Sequence, residues 1–160
     1  MEAQENTKVR GMFRLQITED DQVVGDSGWR ENTITNAGFS RYLSYVFAGS
    51  TGSAQISHAA LGTGGAPGAG DTTLSGEVTH NASSRDAVTK TTSSDSKAAR
   101  YTGTFASANS HNTTTVNISN IGLFQQSNTN TATIFAGASY NSSSWASNQS
   151  VNYTYDISFS

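Results

Sequence analysis

The side chains of this chain with chemistry to offer are few and scattered. His58, His80 and His111 lie far apart, in no H-x-H or H-E-x-x-H spacing that would set two imidazoles on one metal. The run Glu19-Asp20-Asp21, with Asp26 close behind, has carboxylates enough for calcium. It lacks the spaced ligands and closing Glu of a calcium loop, and aspartates also suit a hairpin tip. Asp71 and Glu77 are the kind of pair a glycosidase sets on facing walls, and nothing in their setting marks them for it. None of the many serines sits in a G-x-S-x-G elbow. The absence of cysteine excludes thiol nucleophiles, thiolate metal sites and a disulfide framework.

The glycine-rich stretch 62–70, which holds the chain's one proline, has neither the Lys of a phosphate-binding loop nor the spacing of a dinucleotide fingerprint. A flexible loop, or one packed against a neighbouring subunit, explains it. The N-x-[ST] sequences at Asn81, Asn112, Asn117, Asn141, Asn148 and Asn152 follow from a composition rich in Asn, Ser and Thr, and none is read as glycosylated. No catalytic residue, metal or cofactor is assigned, and the chain is not expected to be an enzyme.

Composition narrows the remaining classes. With 160 residues, one domain spanning 1–160 is expected, with a short polar tail at about 1–7. Only 13% of residues are charged, against about a quarter in an ordinary domain, and the net charge is −3. No basic stripe is present, so nucleic acid is not an expected partner. No segment reaches the roughly 20 apolar residues that span a bilayer. The polar start, Met1-Glu2-Ala3-Gln4-Glu5-Asn6, has no apolar leader core, so folding in a cytosol is expected. Residues 101–160 contain one formally charged side chain, Asp156. That stretch suits β-structure that sits against something, because small neutral residues allow close approach without stripping water from ions.

The elements that would position these residues are mostly strands. Residues 8–18 alternate, with Val9, Gly11, Phe13, Leu15 and Ile17 on one face, and 23–29 return as a hairpin partner. Phe39, Tyr42, Leu43, Val46 and Phe47 recur at helical spacing within 32–49. Thr35 or Asn36 can cap the start, and Gly49 follows the end. Further strands are expected at 54–61, 101–105, 113–118 and 131–138, with an apolar knot at 121–124 and two edge strands or a loop within 81–99. Residues 151–159 alternate without a break. The expected fold is all-β with one short helix, a β-sandwich or jelly roll of about seven to nine strands.

Several short motifs occur in order. They are Asn32-Thr33-Ile34-Thr35-Asn36-Ala37-Gly38-Phe39, then Ala60-Leu61-Gly62-Thr63-Gly64, then Asp71-Thr72-Thr73-Leu74-Ser75-Gly76-Glu77, then Ile118-Ser119-Asn120-Ile121-Gly122-Leu123-Phe124. With the closing aromatic strand, this pattern resembles small structural proteins of tailed bacteriophages. Those usually carry a polar residue where this chain has Ile121. The resemblance implies a virion component: a capsid decoration protein, a head or neck accessory, or a tail or fibre module. It carries no catalytic residue. Gly62, Gly64 and Gly65 would allow close backbone approach, and Leu74, Leu123 and Phe124 would plug the ends of the sandwich.

The expected function is that of a non-enzymatic structural protein of the virion, made in the host cytoplasm. Its expected partners are copies of itself, in a ring or trimer, and capsid or tail proteins. Tyr140, Trp145, Tyr153 and Tyr155 are candidate interface aromatics; Tyr153 and Tyr155 share the apolar face of their strand and weigh first as core. Assembly through the neutral face of the last strands would respond little to salt. The alternative is a carbohydrate- or receptor-binding sandwich of a tail fibre, with Trp29 and Trp145 stacking on sugars.

Overall fold

The computed structural model describes residues 8–47, 55–79, 85–93, 97–109, 111–129 and 133–159, with the backbone alone at 42–47 and 93. His80, the Asn81 sequon, Gly49, the turn at 94–96 and the polar tail 1–7 fall outside the described residues. So do the side chains of Tyr42, Leu43, Val46 and Phe47.

The chain folds as two antiparallel sheets packed face to face, an all-β sandwich with one short helix. In the first sheet β1 (Val9–Glu19) and β11 (Ser150–Phe159) are central neighbours, paired from Val9↔Phe159 to Thr18↔Ser150. β8 (Ala98–Phe105) and β7 (Thr89–Ser93) continue beyond β11. β2 (Gln22–Asp26) and β3 (Arg30–Glu31) both line the far side of β1. The second sheet runs β4 (Thr33–Ile34), β10 (Ile134–Trp145), β9 (Val116–Phe124), β5 (His58–Gly62) and β6 (Asp86–Ala87).

The alternation of β1 and β11 buries Phe13, Leu15 and Ile17 against Tyr153, Tyr155 and Ile157, and these meet Leu61, Ile118, Ile121, Leu123 and Tyr140 from the second sheet. Each large apolar side chain so buried contributes about 1.5–3 kcal/mol. The β1–β2 turn places Asp20 and Asp21 at φ 47° and 63°, the backbone a two-residue hairpin needs.

β9 is one strand across 116–124, where a strand and a separate knot were expected. Its alternation breaks because both faces are covered, so Ile118, Asn120, Ile121, Gly122, Leu123 and Phe124 are all buried. The outer cover is the segment 62–78. Leu74 from that segment joins Ala60, Phe124 and Ile134 in a second small core. Leu74 and Phe124 therefore build a third layer and do not plug the sandwich ends, while Leu123 belongs to the main core.

The helix α1 (Asn36–Phe47) starts as the sequence suggests. Thr35 is its cap: Gly38 N–H donates to Thr35 Oγ1 at 3.0 Å, and Phe39 N–H donates to the Thr35 carbonyl at 3.0 Å. The Thr35 hydroxyl in turn donates to the Ile134 carbonyl at 2.8 Å, tying the helix start to β10. A side chain at Gly38 would strike the Phe135 carbonyl oxygen. Among the described residues no helix is long and apolar enough to cross a membrane.

Candidate functional site

Polar groups gather where β5 and β6 meet the first sheet. Ser57 Oγ lies 2.8 Å from His58 Nδ1 and also donates to the Gln125 carbonyl at 2.5 Å. A serine has one hydroxyl hydrogen, so the Nδ1–H of His58 is the donor in the first contact. Burial first, and then the charge of Arg85, pushes the His58 pKa down. Burial pushes Asp86 up, against the Tyr153 hydroxyl, which donates to Asp86 Oδ2 at 3.0 Å. The three residue types of a hydrolase triad are present, but the serine proton goes to a carbonyl and no base receives it. His111 lies edge-on to Phe105, 5.2 Å between ring centroids. Among the described residues no three His, Asp or Glu side chains are grouped to hold a metal ion.

Asp71 and Glu77 each have a partner of their own. Asp71 Oδ2 accepts from Gly68 N–H at 2.8 Å. Glu77 is held by Arg85 through two bonds of 2.7 and 3.0 Å. Arg85 was not singled out in the sequence. Its side chain is 1% exposed, it donates to the carbonyls of Gln126 and Asn128 at 3.1 Å, and it lies over the Phe124 ring. It ties the third layer to the sheet beneath.

The glycine stretch is spent on the same attachment. Thr63 N–H donates to the Gly76 carbonyl and Gly64 N–H to the Ser75 carbonyl. Asn120 Nδ2 reaches the carbonyls of Gly65 and Ser75, each at 2.9 Å, and Ser119 Oγ reaches that of Gly64 at 2.8 Å. A Cβ at Gly62 or Gly64 would collide with this turn, whereas Gly65 faces open space, so close approach does not explain that glycine.

All four candidate interface aromatics are buried. Tyr155, Trp145 and Tyr153 are core, and Tyr140 is packed beside Phe13 with ring centroids 6.0 Å apart. They hold the two sheets together and are not placed to touch a partner. A parity signal existed for Tyr140, which shares its strand face with Ala136 and Ala138. Trp145 was hidden by the register shift between Ser139 and Ser143, which reverses the face that follows.

The outer face of β11 is also less neutral than its own residues imply, because its neighbours bring charge. Arg100 pairs with Asp156 at 2.8 Å, and Arg14 grips Asp26, its Nε 3.0 Å from Oδ1. That bond with Arg14 holds the Asp26 carboxyl well below the usual carboxylate range. Trp29, half-exposed, lies 6.0 Å from the Arg100 guanidinium.

Besides Trp29, the exposed large apolar side chains among the described residues stand towards the two ends of β1. At one end the hairpin tip carries Asp20 and Asp21, with Val23 and Val24 54% and 56% exposed beside them. The register steps from Thr18↔Val23 to Ile17↔Gly25, so Val24 is a bulge residue. Glu19, at the same tip, accepts from Asn148 and Gln149 at 3.0 and 2.9 Å. At the other end the sandwich has an open mouth, an apolar cleft of about 20 Å³ lined by Val9, Ile34, Phe39, Phe135, Ile157 and Phe159. Phe39 is 41% exposed there.

No protein-family model, curated protein or solved structure matches this chain.

Proposed function

We propose that this chain is a non-enzymatic structural protein of a phage particle, a sandwich building block that associates with itself and docks on capsid or tail protein. The observation that supports this reading is how the motif segments meet. Asn36 N–H donates to the Ala69 carbonyl, Ile134 N–H to Thr72, Gly64 N–H to Ser75, and Asn120 to Gly65 and Ser75. The segments that resemble phage structural proteins are thus bonded to one another: three of them contribute strands to the second sheet, and 71–77 belongs to the layer that covers it. Their polar atoms are used in holding that layer, which suits a structural role better than a reactive one.

The mechanism is geometric: repeated weak contacts summed by symmetry give avidity. The deciding measurement is the position and copy number of the protein in purified particles, by gold labelling and quantitative mass spectrometry. Many copies over the shell place it as decoration and a few at the tail or neck as an accessory. Absence from particles sinks the reading.

A second reading, a carbohydrate-binding module of a tail fibre, keeps one support in half-exposed Trp29 beside Arg100. Trp145 is 1% exposed and offers no stacking surface. Glycan-array binding that disappears in Trp29→Ala would favour this reading.

A further inference from the structure

We propose that a single water is built into the sandwich beside Tyr140, bonded to its hydroxyl and to the hydroxyls of Ser27 and Ser143. The site stands apart from the particle reading and does not depend on it. It lies where two irregular strands meet across the core. On β10, Ser139 pairs with Asn120 and Ser143 with Ile118, so Tyr140, Asn141 and Ser142 stand opposite Ser119 alone. On β2, Val24 is the bulge residue, and Gly25 pairs with Ile17 just past it. Bulges bend and twist a strand, so the two sheets do not close fully here. Tyr140, Ser143, Ile17 and residues 25–27 all line a cavity of about 10 Å³ between them. That is room for one water and for nothing larger.

The polar atoms around it make a matched set. Tyr140 is 9% exposed, and its hydroxyl oxygen is buried with no hydrogen-bond partner among the described residues. Burial pushes the Tyr140 pKa up, so the hydroxyl keeps its proton and needs an acceptor. Ser27 Oγ donates to the Gly28 carbonyl at 2.8 Å and accepts from Leu15 N–H at 2.9 Å, which leaves it one lone pair. Ser143 Oγ donates to the Asn141 carbonyl at 3.3 Å, which spends its proton and leaves it an acceptor. The Asp26 carboxylate is already taken: both oxygens accept from Arg14, one also from Gly28 N–H and the other from Gln16. A water brings two protons and two lone pairs. It takes the Tyr140 proton and gives its own to Ser27 and Ser143, the three bonds usual for a buried water. It thereby joins the second sheet to the β2 edge of the first.

The test uses two substitutions in the full chain, made singly and together, read by urea midpoints and by water–protein NOE spectra. Tyr140→Phe removes the hydroxyl and leaves the ring. Gly25→Ala adds a methyl on the cavity wall, 3.5 Å from the Ile17 side chain and so in ordinary contact, and should drive the water out. In the wild type, Tyr140→Phe should lower the urea midpoint, because a bonded hydroxyl is lost. In Gly25→Ala it should raise the midpoint, because an unmet hydroxyl is removed. The wild type should show NOEs from water to the Tyr140 ring and to Ser27 and Ser143, and Gly25→Ala should lose them.

A midpoint shift on Tyr140→Phe that does not reverse its sign between the two backgrounds overturns the proposal. A wild type without those NOEs overturns it as well. Should Gly25→Ala fail to fold, Ser143→Ala takes its place, since it removes one acceptor of the water. The NOEs and the loss on Tyr140→Phe should then both shrink, and an unchanged pair of readings overturns the site.

Discussion

Arg85 lies over the ring of Phe124, its guanidinium carbon 3.5 Å from the ring centroid, with both faces of the contact out of water. The same guanidinium closes a two-bond pair with Glu77. A buried charge held this way is costly to strand, because its partner loses compensation without regaining water. Arg85→Ala should destabilise the fold by about 3–5 kcal/mol, read from the urea midpoint. Arg85→Lys keeps the charge but loses the fork and the planar stack, and should recover only part of that. A loss for Arg85→Ala under about 1 kcal/mol, the range of a surface pair, would show that the third layer is not held here.

The Tyr153–Asp86 bond gives a pH signature. Burial raises the Asp86 pKa above its ordinary 3.8, so its contribution to folding is greatest below that value and is lost as pH rises through the folded one. The Tyr153 hydroxyl opposes this by stabilising the ionised carboxylate. Tyr153→Phe should therefore cost about 1–3 kcal/mol near neutral pH, where Asp86 is charged, and less in acid, where it is not. Denaturant unfolding at the two pH values gives the difference. An equal loss at both would mean that the bond does not depend on the charge of Asp86.

Thr35 does two jobs with one hydroxyl, accepting from Gly38 N–H and donating to the Ile134 carbonyl. Thr35→Ala should cost about 1–3 kcal/mol, and Thr35→Ser should restore most of it. Gly38→Ala, a change that by helix propensity alone would stabilise by about 1 kcal/mol, should destabilise because its Cβ meets the Phe135 carbonyl. Thermal melts of the three variants check both statements.

The two tryptophans should differ sharply in fluorescence. Trp29 is half-exposed, while Trp145 is enclosed and donates Nε1–H to the Gln149 carbonyl at 2.9 Å. Acrylamide should quench one fraction of the emission readily and the other poorly, and Trp29→Phe should remove the quenchable part. Full quenching of the Trp29→Phe variant would overturn the burial of Trp145.

What could be read in the sequence follows from how each element is buried. β1 and β11 have one covered face each, so their alternation is visible, and Thr35 announces α1 by its chemistry. β9 is covered on both sides and carries buried Asn120, which in a sequence looks like a break. The second half of β10, Asn141-Ser142-Ser143-Ser144, reads as loop and is strand. The role of Arg85 depends on Glu77, Gln126 and Asn128, which come together only in the fold. Tyr140 and Trp145 look isolated among small polar neighbours, which reads as exposure, whereas Tyr153 and Tyr155 alternate on an apolar face that reads first as core. Trp145 and Tyr155 show that a sparse apolar residue can be the core itself when every strand supplies only a few.

The central place of β11 beside β1 sets the order in which the molecule can form. Thr18 bonds to Ser150 across 132 residues of chain. During synthesis Phe13, Leu15 and Ile17 cannot meet Tyr153, Tyr155 and Ile157 until the last strand has been made, whereas β9 and β10 can pair as soon as both are made. Closure is therefore late and slow, as for other sheets dominated by distant pairings. In that interval β1 has one edge unpaired, the one that β11 will take, and sticking to other nascent copies competes with completion. Yield during expression should thus depend on temperature and on the rate of synthesis more than on the stability of the finished protein.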